Sequence, residues 1–211
     1  MFNKEHELLL PQVKQPWRKM TLRQIKNECA KTSEGYVYNT LQKNVKNDIL
    51  SSKKVGNQVL YSLNINSKKC LSYISSIAEH YAWTRTNIPY NVLEDMMKRI
   101  VNPAYSFIIT GSYANNTQKK SSDIDIVILV ESKRASKAIE SELHYSSELS
   151  IPKAHLHVFT YDEFYFMLVN LSANYGKEIS SNNLILNGAS IYYSIMFKAI
   201  RNGYNSFKLF G

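Results

Sequence analysis

The sequence is poor in the residues that staple or break a chain. Its 211 residues include two cysteines, five prolines, seven glycines and two tryptophans. Cys29 and Cys70 lie far apart with no metal-ligand spacing. That excludes a disulfide scaffold or a zinc ribbon and predicts reduced, structural thiols in an intracellular protein. So little glycine and proline excludes collagen-like and low-complexity classes, and a charged fraction of 20% with 44% hydrophobic residues is ordinary globular usage. No apolar run approaches the ~20 residues of a membrane helix. The best stretches, 124–130 and 168–171, are far too short. Residues 1–10 carry Glu5 and Glu7 beside a three-leucine stretch, unlike a signal peptide. The expectation is a cytoplasmic protein with no membrane partner.

Acid is also scarce, and unevenly so. The net charge is +9, and residues 1–70 hold 13 Lys/Arg against 5 Asp/Glu, a local net of +8. Such a segment repels itself unless a polyanion gains from the field, although a basic surface also serves solubility.

Within it, Thr21-Leu-Arg-Gln24 is a capping-box pattern that opens a short helix to about residue 30. Ser33-Glu34-Gly35 starts a second helix to about Asn47, with Val37, Leu41 and Val45 inward. Its other side offers Tyr36, Asn39, Gln42, Lys43 and Lys46, donors and cations suited to base edges and phosphates. A hairpin around Gly56-Asn57 follows, carrying Lys53 and Lys54. Helix, turn, helix and charged hairpin is the order of a winged helix-turn-helix. The segment resembles the winged-helix domains at the front of many archaeal two-domain proteins, which implies contact with nucleic acid, duplex DNA first. A helix from Ser67 to about Thr84 then links two domains or packs between protomers of a homodimer.

The chemistry lies between residues 105 and 160. A capping box at Asn91-Val-Leu-Glu94 opens a helix, and 105–110 reads as a buried strand running into Gly111-Ser112. Ten residues on, Ser122-Asp123-Ile124-Asp125 leads the apolar run 126–130. Side chains alternate along a strand, so Asp123 and Asp125 project to one side and repel each other. A divalent cation relieves that repulsion, and oxygen-only ligands favour Mg²⁺ or Mn²⁺. Gly111 permits close backbone approach, and Ser112 and nearby amides can hold phosphate oxygens. Lys119 and Lys120 add phosphate contacts or keep their loop solvated.

This Gly-Ser, spacer, Ser-Asp-x-Asp pattern before an apolar strand resembles the minimal nucleotidyltransferase branch of the DNA polymerase beta-like superfamily. The resemblance rests on Gly111-Ser112-Tyr113-Ala114 and Ser122-Asp123-Ile124-Asp125-Ile126 and extends over most of residues 90–190. It implies transfer of a nucleoside monophosphate from a nucleoside triphosphate, ATP first, to a hydroxyl, with metals on Asp123 and Asp125. Gly111 and Ser112, with Ser122, Lys119 and Lys120 near them, would hold the triphosphate.

The resemblance also implies a third acidic residue on the next strand, and the matching position is His155. Three readings stay open. His155 replaces the carboxylate; Asp162 or Glu163 reaches back; or the site binds nucleotide and catalyses little. The expected class is α+β: a winged helix over 1–66, a connecting helix over 67–87, and a small mixed-sheet nucleotidyltransferase fold over 88–211. Rival functions are a non-catalytic DNA-binding regulator and, third, an antitoxin-like partner of a helical toxin, a class whose members are usually single-domain.

Overall fold

A computed structural model describes residues 4–205. The two ends of the chain, 1–3 and 206–211, lie outside the description. The front of the chain is a 3₁₀ turn (Lys4–Leu9), α1 (Leu10–Lys14), β1 (Met20–Thr21), α2 (Leu22–Glu28) and α3 (Glu34–Lys46). The hairpin β2 (Leu50–Val55) and β3 (Gln58–Leu63) follows. Local chemistry sets these boundaries. Thr21 and Gln24 exchange both bonds of a capping box at the start of α2, and the Ser33 hydroxyl accepts from the Tyr36 amide at the start of α3. Gly56 takes a positive φ of 58° in the turn between β2 and β3. The three strands pair antiparallel in the order β1-β3-β2. Val37 and Leu41 are fully buried along α3, while Val45 is only partly covered.

Helix α4 (Lys68–Trp83) is capped by Ser67, and α5 (Tyr90–Arg99) follows. Pro89, rather than Asn91, is the cap of α5, and no side chain bonds there. The Asn-to-Glu pattern misleads because proline fixes φ near the helical value, and the helix starts two residues earlier than that pattern implies.

The second sheet is β4 (Tyr105–Thr110), β5 (Ile124–Val130), β6 (Ala154–Thr160) and β7 (Leu184–Asn187), in the order β6-β5-β4-β7. β5 and β6 run parallel and the other pairs antiparallel, so the sheet is mixed. Connecting helices are α6 (Gly111–Asn115), α7 (Lys133–Glu148), α8 (Tyr161–Val169) and α9 (Tyr175–Ser181), and α10 (Ala189–Arg201) comes last. The run 126–130 is apolar throughout because both faces of β5 are covered. Ile126 and Ile128 pack with α5 and α7, and Val127 and Leu129 with α8 and α10. Phe164 and Leu168 are the fully buried residues of α8, and Leu171, past its end, is exposed.

The core on the Val127 face does not stop at the sheet. It continues through α10 and α4 into Leu8, Leu9, Val37, Leu41 and Tyr61 of the front third. The Tyr193 hydroxyl donates to the Val13 carbonyl at 2.8 Å, and the Arg201 guanidinium to the Ile65 carbonyl at 3.0 Å. Among the described residues, no helix is long and apolar enough to cross a membrane.

Candidate active site

Strand register assembles the site. Thr110, the last residue of β4, pairs with Asp125, and Asp125 pairs with His155 on β6. The three form one row across the sheet, with side chains on the face that carries α8 to α10. Asp123, two residues before Asp125, shares that side. The His155 Nε2 lies 3.2 Å from an Asp123 carboxylate oxygen, and its Nδ1 lies 3.6 Å from one of Asp125. The side chains are 42% and 33% exposed for the two acids, and among the described residues no lysine or arginine forms an ion pair with either. Both carboxylates reach solvent, and both face the same imidazole.

Beside them a cavity of about 420 Å³ opens, within the range of small-ligand sites. Gly111, Asp125 and His157 form one wall, and Tyr175, Glu178 and Asn182 the other. Gly111 holds a φ of 66°, and a Cβ there would run into the Asp125 carboxylate. Only glycine lets the turn after β4 pass so close to the acid. Asn182 locks that turn: its side-chain amide donates to the Gly111 carbonyl at 2.8 Å, and its own carbonyl accepts from the Thr110 hydroxyl at 2.7 Å. Burial, with Asp125 and Glu178 nearby, pushes the Tyr175 phenol up to about 12, so it remains a donor at neutral pH. His157 and Tyr175 meet edge to face at 5.0 Å.

Of the residues expected to hold a triphosphate, Gly111 alone lines this cavity. Ser112 sits on the first turn of α6, half-buried, and its carbonyl accepts from the Thr117 amide. The Ser122 hydroxyl is spent within its own loop, accepting from the Lys119 amide at 2.8 Å. Lys119 and Lys120 are exposed on that loop, outside the cavity lining. Asp162 and Glu163 do not reach back. They follow the far end of β6, five residues and about 17 Å from His155. Glu163 is also engaged there, closing a capping box with Thr160 and pairing with Lys133.

Sequence reasoning missed Tyr175, Glu178, Ser181 and Asn182. They belong to α9 and the residue after it, and no motif marks them; only the return of the chain past Gly111 brings them to the cavity. In the front third, Tyr36, Asn39, Gln42, Lys43 and Lys46 are all exposed on α3, as are Lys53 and Lys54 on β2. Lys43 pairs with Glu5 at 2.7 Å, and the Gln42 side chain donates to the Tyr61 hydroxyl. Both thiols are free, and burial raises them, to about 11 for Cys29 and about 12 for Cys70.

Residues 91–185 match the family model of a nucleotidyltransferase domain. The match runs from α5 into β7 and contains the Gly111 turn, both acids and His155. The mixed sheet is consistent with a nucleotidyltransferase fold, and such domains generally use a nucleoside triphosphate with a divalent metal. One solved structure, described as "Crystal structure of the toxin-antitoxin with AMP-PNP", is similar at 13% identity. The likeness covers 55% of this chain and 88% of that one, with a TM-score of 0.35. So low a score bears on neither partner nor substrate. No curated protein matches the chain.

Proposed function

We propose that this protein is a metal-dependent nucleotidyltransferase that moves a nucleoside monophosphate from a triphosphate to a hydroxyl acceptor. The carrying observation is the meeting of Asp123 and Asp125 beside a 420 Å³ cavity, against a glycine turn with no room for a Cβ. Among the described residues no group of three or more His, Cys, Asp or Glu could hold a metal unaided. Mg²⁺ needs no such cage, because it keeps several waters and takes one or two carboxylates plus substrate phosphates. Asp123 and Asp125, half-exposed and in no ion pair with a lysine or arginine among the described residues, fit that use. The bound cation would neutralise phosphate charge as it builds.

The chain's own residues then have separate tasks. Gly111 brings the backbone to the phosphates, and Asn182 keeps that turn from moving away. His155 receives the proton of the acceptor hydroxyl as its oxygen bonds to the α-phosphorus, and the bond to the departing pyrophosphate breaks. Imidazole is a poor Mg²⁺ ligand and a good base near neutral pH, so this role suits it better than metal binding. Ser112, Ser122, Lys119 and Lys120 would approach the phosphates from outside the cavity.

The proposal includes a functional division: a winged helix over 1–66, a connector over 67–87, and the transferase over 88–211. Tyr36, Asn39, Gln42, Lys43 and Lys46 on α3 would meet base edges, and Lys53 and Lys54 the flanking phosphates of duplex DNA. The local charge of +8 supports that reading.

Labelled ATP, GTP, CTP and UTP, each with Mg²⁺ or Mn²⁺, test the transfer. Incorporation into protein, nucleic acid or small-molecule acceptors should fall roughly a hundredfold or more in Asp123→Ala/Asp125→Ala. Equal silence of wild type and variant would overturn the enzyme reading and favour a DNA-binding regulator, which the imidazole at the third carboxylate position also supports. Duplex affinity should fall steeply with salt, and a flat salt response removes the DNA-binding role.

A further inference from the structure

The second sheet has two outer strands, and the chain treats them differently. β7 is four residues long, packs against α4, and has the Trp83 indole donating to its Leu186 carbonyl at 2.9 Å. β6 is seven residues long and pairs with β5 alone, in an unbroken register from Ala154 to Thr160. The Ile124 amide donates to the Lys153 carbonyl at 2.8 Å, which fixes the alternation along β6. Odd-numbered residues bond to β5, and Ala154, Leu156 and Val158 turn their N–H and C=O groups outward. Among the described residues those outward groups receive a single bond, from the Ser136 hydroxyl to the Val158 carbonyl at 3.5 Å. Free edges are blunted by lysine, proline, a bulge or shortness. Ala-His-Leu-His-Val-Phe-Thr has none of these.

The helix packed on β6 bears on what covers the edge. α7 carries charge against its own dipole, with Lys133 and Arg134 in its first turn and Glu148 in its last. It is basic from 133 to 137 and acidic from 140 to 148. Lys133 pairs with Glu163, and Glu148 with Lys153 at 3.0 Å. Arg134, Lys137, Glu140 and Glu142 are exposed and form no ion pair among the described residues. A copy of α7 laid antiparallel beside it would meet opposite charge along its length, which a partner surface of one sign would not.

We infer that the chain forms a two-fold dimer through this edge, with β6 pairing antiparallel to β6 of a second copy about Leu156. In that register Leu156 exchanges both bonds with its copy, and Ala154 does so with Val158 of the other chain, so every outward group is satisfied. The same axis, normal to the sheet, sets α7 antiparallel to its copy, with Lys137 of one chain toward Glu142 of the other. The contact is isologous and closed, so pairing stops at two copies. It does not depend on the transferase reading.

Sedimentation equilibrium of the full-length chain should give the mass of two chains at high concentration and of one on dilution. Hydrogen exchange should show the Leu156 and Val158 amides protected in the dimer and fast in the monomer. Leu156→Pro removes an outward N–H and no bond to β5, so it should leave folded monomers, with a melting curve as the check. Lys137→Glu and Glu142→Lys should each weaken the dimer about tenfold or more, and the double exchange should restore it. If L156P does not fold, the charge exchange and the amides decide. A chain monomeric at every concentration would overturn the inference and leave the edge to a strand from another protein. So would a dimer whose Leu156 and Val158 amides stay unprotected, a folded L156P that still dimerises, or charge variants that leave the dissociation constant unchanged.

Discussion

At the scale of single residues, the site depends on one glycine and one asparagine. Gly111→Ala would force a Cβ into the Asp125 carboxylate at a φ that L side chains rarely adopt. A cost of about 1–3 kcal/mol is expected, together with loss of triphosphate binding. Asn182→Ala removes a single bond to the same turn, worth about 1 kcal/mol. It should keep most of the stability and raise the triphosphate concentration needed for half-saturation. Denaturant titration and a binding isotherm on the two variants check the contrast. Equal effects of both variants on stability would mean that Asn182 is structural cement and not a positioner of Gly111. Gly111 was legible in the sequence because its neighbours form a motif. Asn182 was not, because its role comes from a backbone contact across 71 residues of chain.

At the scale of elements, legibility follows local chemistry. β4 runs as its apolar composition indicated, and Thr21 and Ser33 start α2 and α3 as their capping patterns demand. Thr21→Ala breaks both halves of the capping box of α2, and a loss of about 1 kcal/mol is expected, read as a lower melting temperature. Ser or Asn at that position should restore most of it; failure of both would mean that the cap contributes little. Patterns misled where proline or chain return overrode them. Pro89 displaced the expected cap of α5, and Asp162 and Glu163 belong to a helix start at the wrong end of β6. A sequence places a carboxylate near a strand but does not say at which end it is used.

At the scale of the whole molecule, charge sets a window of stability. Hydrogen bonds from Lys31, Arg18 and Lys133 hold Glu7, Glu28 and Glu163, respectively, below the usual carboxylate value of 4.5. A carboxylate lowered in the folded state stabilises above 4.5, and that stability is lost as pH falls through the lowered value. These pairs are exposed, so the acid arm should be shallow. Burial raises Tyr192 and Tyr193 well above the usual 10, and a group raised on folding stabilises below 10 and loses that effect as pH climbs past it. Burial likewise raises the Cys29 and Cys70 thiols above their usual 9. The urea midpoint should therefore be flat between 4.5 and 9, decline gently below, and fall increasingly above, most steeply past 10. A midpoint that still rises as pH falls through 4.5, or as it climbs past 10, contradicts this.

The joint between front and rear sets how the parts cooperate. Tyr193 on Val13, Arg201 on Ile65 and the shared packing around α4 and α10 leave no loose tether between them. On the proposed reading, the front third would act as a jig and not a leash. Whatever it gripped would be presented to Asp125 at one fixed offset and angle, so acceptors would be sorted by length and shape before any chemistry began.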